Sequence, residues 1–455
     1  MSGDQCDRPH EAPEPGPDSE FPGPRVLIAL AVVAAVAGAL TGVVGGAFRW
    51  LLVRAEDWRS TVLDWSHSHG ALGVAAVIGL SAVCAGAAVW IVQWVPLAGG
   101  SGIQQVEAVE DKQSAAAPWT VVPARFFGGL LSMGAGGMVL GREGPTVHMG
   151  AAIGAAAGRL VRASADEIRV MQTAMAGAGL AVAFNAPIGG ALFTFEEVAK
   201  KIRLRYAVWT LAAVATAVVF SRMILGDHPD FRAGGIDNPS PSRLWIFLVF
   251  GVLVGGLGVL YSRAVMWAVD LFGRIRLSPV PIGAGVGAVI GVLALTVPEA
   301  VGGGDALAQR MLDGQRLALW TLIGFLALRM LTGPLSYGTG APGGLFAPML
   351  ALGALSGVIF GRLLEVFDES LYAELTPALI IVGMSTLFAA VVRVPLTAVV
   401  LVIEMTAVTA LTIPMIVAVT ASVVTASLAG SAPVYDSLRT RMLHSYLEDP
   451  LHRRR

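Results

Sequence analysis

The chain has 455 residues, of which 55% are hydrophobic and only 14% are charged, and its formal net charge is −1. Soluble domains carry about 25% charged residues, so this composition predicts an integral membrane protein and gives no basic footprint for nucleic acid. Lys112, Lys200 and Lys201 are the only lysines, and none lies in a phosphate-binding loop, which argues against ATP-driven pumping. Cys6 and Cys84 suggest neither a disulfide framework nor a metal cluster.

The N-terminal stretch 1–24 is acidic and rich in proline, and it lacks the apolar core of a signal peptide. It is predicted to be a disordered cytoplasmic tail. The first span is expected to begin at Arg25 and to end near Arg54. Spans need about 20 apolar residues, and the runs of that length are 26–53, 71–96, 119–140, 206–225, 244–268 and 278–297.

Further apolar runs are shorter or are interrupted by Gly, Pro or charge. Such segments predict tilted and broken helices that line a polar cavity. The abundance of glycine agrees, because close helix packing in lipid favours small residues. These interrupted runs are 145–160, 167–183, 187–195, 344–360, 377–391 and 395–403.

A glycine-rich loop follows Pro96, with the sequence Gly99-Gly100-Ser101-Gly102-Ile103. It predicts a loop that enters a helix at apolar depth. There Ser101 would offer a hydroxyl beside unpaired backbone N–H groups, which together form a neutral clasp for an anion. Taken alone, however, a Gly-Ser sequence more often forms only a turn.

A carboxylate stands between two apolar runs in Gly141-Arg142-Glu143-Gly144-Pro145. Charge is costly inside a membrane, so Glu143 is interpreted as functional. Proline favours the first turn of a helix, and the helix is therefore expected to begin near Pro145. Its positive end would hold either this carboxylate or a dissolved anion, which would make Glu143 a gate. A Glu that only caps its own helix fits the isolated motif equally well.

Two patterns recur in the same order along the chain. The glycines that follow Pro145 at five, nine and thirteen residues recur after Pro348, 203 residues later. A proline with a glutamate nine residues on occurs at 187–196 and again at 395–404, 208 residues later. Two patterns at nearly one offset indicate duplicated halves, an arrangement that places a transport site at their interface.

The basic residues predict the orientation, because they collect on the cytoplasmic side of a membrane. The cluster from Lys200 to Arg205 places the end of the preceding helix, with Glu196 and Glu197, inside the cell. Both termini are then expected in the cytoplasm. The predicted division is a first membrane repeat at 25–225, an extracellular linker at 226–243, a second membrane repeat at 244–442 and a cytoplasmic tail at 443–455.

Four motifs in this order resemble those of the CLC family of chloride channels and proton-coupled chloride antiporters. They are G-S-G-I at 100–103, G-R-E-G-P at 141–145, G-L-F-A-P at 344–348 and A-P-V-Y ending at Tyr435. The resemblance covers about residues 26 to 442. It implies an all-α integral membrane protein built from two inverted-topology repeats of tilted, partly broken helices. It also implies a homodimer without a cofactor or a metal, and the short stretch after Tyr435 fits a prokaryotic member in the inner plasma membrane.

The resemblance also assigns roles to residues. Glu143 would close the outer side and take the external proton, and Glu197 would be the internal proton acceptor that marks antiporters. The chain would then move chloride in exchange for protons. Gln104 departs from the family, which usually has proline there. The chloride-binding residues would be Ser101, Gly102, Ile103, Leu345, Phe346 and Tyr435.

The sequence leaves three alternative functions open. A passive chloride channel would use the same fold with the coupling lost, and Glu197 and uphill transport would distinguish it. The G-x-S-G sequence around Ser101 also occurs in rhomboid intramembrane proteases, with His148 as the one base in an apolar run. A fluoride exporter belongs to the same family, but Ser101 with Tyr435 favours chloride.

Overall fold

The computed structural model describes residues 23–236 and 238–448, and residues 1–22 of the predicted tail 1–24 lie outside this part, as do residues 449–455. The described part is α-helical, and eight of its helices are long and apolar enough to cross a membrane. Its one sheet-like contact is a bridge between Gly141 and Gly344. The predicted class, an all-α membrane fold, is confirmed.

Seventeen α-helices follow one another in the described part, and π-helical turns at Leu130–Ala135 and Thr194–Val198 continue the fourth and the seventh. The first half contains α1 (Pro24–His67), α2 (Gly70–Trp94), α3 (Ile103–Glu110), α4 (Val121–Gly129), α5 (Glu143–Leu160), α6 (Ala165–Phe184), α7 (Pro187–Phe193) and α8 (Leu204–Leu225). The second half contains α9 (Leu244–Arg274), α10 (Pro279–Thr296), α11 (Asp305–Leu312), α12 (Leu319–Gly338), α13 (Phe346–Glu365), α14 (Glu369–Val392), α15 (Pro395–Thr406), α16 (Thr412–Leu428) and α17 (Val434–Glu448).

Two predicted boundaries in the first half are wrong. The first helix continues past Arg54 to His67, because no glycine or proline interrupts the stretch between them. The predicted span 119–140 ends at Ala135 instead. Gly137 there has φ +68°, which a helix cannot accommodate.

Three spans in the second half were missed or underestimated. Helices α13 and α14 are long enough to cross a membrane although their apolar runs were predicted to be too short. In α14, Pro377 lies inside the helix rather than at its start, as membrane helices tolerate. Helix α12 was not predicted because the buried Arg329 interrupts its apolar run.

The two halves repeat the same order of elements. Gly102 with φ +93° precedes α3, and Gly304 with φ +101° precedes α11. A residue in the left-handed region also ends both α6 and α14, namely Asn185 and Arg393. Each of these two helices is followed by a short helix that begins with proline. The duplication indicated by the sequence is therefore present in the fold.

Two glutamates join the halves by reciprocal capping. The Glu196 carboxylate accepts hydrogen bonds from the backbone N–H groups of Leu396 and Thr397 at the start of α15, at 3.1 and 2.7 Å. Glu404 accepts from the first two N–H groups after Pro187 in α7, also at 3.1 and 2.7 Å. Carboxylates are stabilised at helix N-termini. Because each helix ends where the other begins, the two run antiparallel, as inverted repeats require.

We predict that Glu196→Gln and Glu404→Gln each lower the free energy of unfolding by about 1–2 kcal/mol, since each loses charge-assisted hydrogen bonds to a helix start. The measurement is the apparent unfolding temperature of the protein in detergent. Glu374→Gln is the control, because its ion pair with Arg243 at 3.6 Å is largely exposed. Equal unfolding temperatures for all three variants would contradict the capping role.

Candidate functional site

The starts of α5 and α13 are joined by a short backbone pairing. The Gly141 N–H donates to the Gly344 carbonyl at 2.8 Å, and the Gly344 N–H donates to the Gly141 carbonyl at 2.6 Å. Helix N-termini carry unpaired N–H groups and a partial positive charge. The pairing therefore brings one such terminus from each half to a single place inside the membrane fold.

Glu143 is the first residue of α5, two residues before the predicted start, and it is completely buried. Its carboxylate reaches back over Gly141, where any side chain would collide with Oε2. It points toward the backbone N–H of Ala347 in the first turn of α13. Neither oxygen attains hydrogen-bond geometry with another group of the described chain. The carboxylate thus fills the space at the paired helix starts without being fastened there.

Two buried hydroxyls lie on the other side of this space. Those of Ser101 and Tyr435 neighbour each other, and in the described part of the chain neither has a hydrogen-bond partner other than that neighbour. Two hydroxyls can satisfy only one of their two O–H donors between them, and a buried donor without an acceptor is costly, so a further acceptor is missing. A Cβ at Gly144 would come within 2.6 Å of Ser101 Oγ, so the Ser101 loop packs directly against the start of α5. The predicted anion clasp and the predicted gate are therefore adjacent.

The Ser101 loop is held from behind by Arg125, which the sequence did not single out. Arg125 is fully buried and donates to the carbonyls of Gly100 and Ser101 at 2.8 and 2.9 Å. It also donates to the carbonyls of Leu97 and Gly99, both at 3.1 Å. The positive charge of Arg125 is thus neutralised in part by hydrogen bonds to carbonyl oxygens of this loop. No sequence pattern relates Arg125 to the loop, because Arg125 lies in α4, beyond the helix that follows the loop.

Tyr337 and Gln104 fix the same loop from α12 and α3. The Ser101 N–H donates to the Tyr337 hydroxyl at 3.4 Å, and the Gln104 side-chain N–H donates to it at 3.3 Å. The departure of Gln104 from the family's usual proline therefore supplies a side-chain tether. It also follows that Ser101 offers its hydroxyl, and not its own N–H, to an anion.

An aromatic cluster centred on Phe346 positions Tyr435. The Phe346 ring lies 5.8 Å from the Tyr435 ring and 4.5 Å from that of Phe388. Phe193 and Phe184 complete the cluster at 6.0 and 6.2 Å. Such contacts orient aromatic rings. The side chain of Phe346 therefore supports one predicted anion ligand while its backbone lies at the start of α13, beside Leu345 at the N-cap.

Glu197 lies in the π-helical turn after α7, and its buried carboxyl group neighbours that of Glu107 on α3. Glu107 is 1% exposed and lies 3.8 Å from Arg439 of α17. This pair could hold a proton between two carboxyl groups. The sequence did not single out Glu107, and its burial is what distinguishes it. The oxygens of Glu196, by contrast, are occupied by the start of α15.

Glu143 and the pair formed by Glu107 and Glu197 lie toward different ends of α8. Arg142, next to Glu143, pairs with Asp230 of the linker between the halves at 2.9 Å. Lys200, three residues after Glu197, pairs with Asp436 at 3.0 Å. Helix α8, a candidate span, connects these two ends. Tyr435 lies within electrostatic reach of both carboxyl groups.

The protease alternative has no support in this geometry. The His148 Nδ1 accepts a hydrogen bond from Arg125 Nε at 2.8 Å. Ser101 Oγ makes no hydrogen bond to His148 in the described residues, so the nucleophile and base are not paired.

Comparison with known proteins identifies the family of the chain. The family described as "Voltage gated chloride channel" matches residues 84–427. The chain belongs to this family. It is 36% identical over 426 residues to proteins named "H(+)/Cl(-) exchange transporter ClcA" from Salmonella arizonae and Citrobacter koseri, which covers 91% of this chain and 89% of each relative.

Solved structures of the family share the fold. A slow cyanobacterial Cl−/H+ antiporter superposes with a TM-score of 0.86 at 31% identity, covering 91% of this chain and 98% of that one. A eukaryotic CLC transporter has a TM-score of 0.74 at 20% identity, covering 91% of this chain and 74% of that one.

We predict that Tyr435→Phe and Ser101→Ala each weaken chloride binding by about tenfold, because a hydrogen bond to a charged group contributes about 1.5–3 kcal/mol. Phenylalanine keeps the ring in its aromatic cluster and removes only the hydroxyl. The measurement is calorimetric chloride titration of the purified protein. Tyr261→Phe is the matched control, since its hydroxyl is also buried and unpartnered in the described part but lies on α9. Wild-type affinity in Tyr435→Phe would place that hydroxyl outside the anion site.

Proposed function

We propose that this chain is a transporter, not an enzyme, that exchanges chloride for protons across the membrane. The observation that supports the proposal is that two buried carboxyl groups, Glu143 and Glu197, both lie within electrostatic reach of the buried Tyr435 hydroxyl, which neighbours that of Ser101. Relatives 36% identical over 91% of the chain are named H+/Cl− exchange transporters, which supports the same activity.

Glu143 acts as the outer gate. When ionised, its carboxylate occupies the positive space at the starts of α5 and α13, which excludes an anion. When protonated, it loses that attraction and moves away, so chloride takes its place. Carboxylate and chloride therefore compete for one position, and proton uptake and anion occupancy become linked.

Chloride is held below the gate by two kinds of donor. The hydroxyls of Ser101 and Tyr435 bind it from the inner side. Backbone N–H groups at the starts of α3 and α13 complete the site, from Gly102, Ile103, Leu345 and Phe346. Glu197 receives the proton from the cytoplasm, with Glu107 as its neighbour. A passive channel would not need this inner acceptor.

The type of membrane, the oligomeric state and the orientation are inferred from the family and from the charges. We place the protein in the inner plasma membrane as a homodimer, with both termini in the cytoplasm. Residues 25–225 and 244–442 form the inverted repeats, and 226–243 is the extracellular linker. The basic cluster beginning at Lys200 supports this orientation, because it lies toward the end of the molecule that carries Glu197.

The gate is tested with Glu143→Gln in proteoliposomes. We expect chloride flux to continue but to become independent of pH, because a neutral amide can neither shut the path nor carry a proton. The reversal potential under crossed chloride and proton gradients should collapse to the chloride Nernst value. Retained proton coupling in this variant would exclude Glu143 as the gate.

The inner acceptor is tested by comparing Glu197→Gln with Glu196→Gln. The first should stop proton movement while chloride still flows, and its chloride flux should still rise at acidic external pH because Glu143 is intact. The second should keep the wild-type reversal potential, since Glu196 is engaged in capping α15. Normal proton exchange in Glu197→Gln together with its loss in Glu196→Gln would reverse the assignment. Coupling retained in both variants would place the inner acceptor elsewhere, whereas a wild-type reversal potential at the chloride Nernst value would favour the passive channel.

A further inference from the structure

The second half contains a counterpart of the Ser101 loop. Gly304 precedes α11 in the same left-handed conformation as Gly102 before α3. The buried Arg329 donates to the carbonyls of Gly302 and Gly303 at 3.0 and 2.6 Å. Arg125 does the same for the first loop. Both halves therefore carry a helix start that a buried arginine fastens from behind.

The two loops differ in the residue that begins the helix. Helix α3 begins with the apolar Ile103, whereas α11 begins with Asp305. A carboxylate is stabilised at such a positive end. In the second half the protein thus supplies its own negative charge at the position that corresponds to the anion-facing start of α3.

Asp305 pairs with the arginine that precedes the gate. Its Oδ2 lies 3.2 Å from Arg142 Nη1. The same guanidinium is held independently, because its Nε donates to the Ala183 carbonyl at 3.1 Å and its Nη2 to Asp230 at 2.9 Å. Arg142 would therefore keep its position if Asp305 moved away. The Asp305 side chain is 42% exposed, which leaves it room to do so.

Asp305 also stands on the route from solvent to Glu143. A small hollow of about 20 Å³ is lined by Arg142, Asp305, Gly141 and Ala347, and the last two lie against the Glu143 carboxylate. A wider cavity of about 330 Å³ shares Asp305 with this hollow. Asp305 therefore lies where the wide cavity meets the mouth of the gate.

Charged groups of both signs meet at this mouth. Arg49 also pairs with Asp230, so two arginines face two aspartates, and Glu56 lines the hollow as well. Neutralising Asp305 would remove one negative charge beside the hollow, and a guanidinium N–H of Arg142 would be free to bind chloride.

We propose that Asp305 is a second carboxylate gate at the outer mouth. In its ionised form it competes with external chloride for Arg142 and so lowers the apparent affinity of that face for chloride. External chloride gains access when it displaces Asp305, which swings toward solvent while Arg142 stays in place. This inference rests on the proposed location of Glu143 at the outer end of the path.

The test measures transport in membrane patches whose two faces are perfused separately. Asp305→Asn is expected to lower the chloride concentration for half-maximal transport by about threefold or more at one face only, the size of effect that a partly exposed charge pair supports. Asp305→Glu keeps the charge and should resemble the wild type. Asp57→Asn is the control, because Asp57 lines the wider cavity but not the small hollow.

Three results would overturn the proposal: unchanged half-saturation in Asp305→Asn, an equal shift in Asp57→Asn, or an equal shift at both faces. Asp305→Ser provides a second neutral variant if the asparagine protein is not recovered. The outcome is separable from that of the Glu143 gate. Proton coupling retained in Glu143→Gln would disprove that gate, whereas the one-sided chloride shift of Asp305→Asn does not depend on coupling.

Discussion

The backbone pairing of Gly141 with Gly344 is the contact on which the site depends. It joins a loop of the first half to a loop of the second, and so directs the starts of α5 and α13 to one point. Only glycine fits at these two positions. A side chain at Gly141 would collide with the Glu143 carboxylate, and a Cβ at Gly344 would come within 2.9 Å of the Gly144 nitrogen. The resulting positive space suits an anion and a tethered carboxylate equally well.

Four of the carboxylates at helix starts in this fold are distinguished by their hydrogen bonds. The reciprocal caps of Glu196 and Glu404 accept bonds of 2.7 and 3.1 Å from the opposite half, which fixes α7 against α15. Glu143 makes no such bond in the described chain, and Asp305 pairs with an arginine at a half-exposed surface. The attraction of a carboxylate to a helix N-terminus thus fixes two helices together where the carboxylate is hydrogen-bonded. Where it is not, the carboxylate can move and can compete with an anion.

The sequence predicted those features that are local. Glu143 was recognisable because a charge between apolar runs is unusual, and Ser101 because glycines flank it; the helix start at Glu143 was predicted to within two residues. What it could not predict depends on distant partners. The cap from Glu196 to Thr397 spans 201 residues, and the role of Arg125 appears only when its loop is folded over it. The missed span α12 contains the charged Arg329, and in the sequence a charged residue resembles the end of a membrane span.

The central claim is that the Glu143 carboxylate and an anion compete for one position at the paired helix starts. Anomalous diffraction from crystals grown in bromide tests this claim directly, with wild type and Glu143→Gln compared at the same pH. We expect a bromide peak beside the backbone N–H groups of Phe346 and Ala347 in the variant, and none at that point in the wild type. A peak there in both proteins, or in neither, would contradict it.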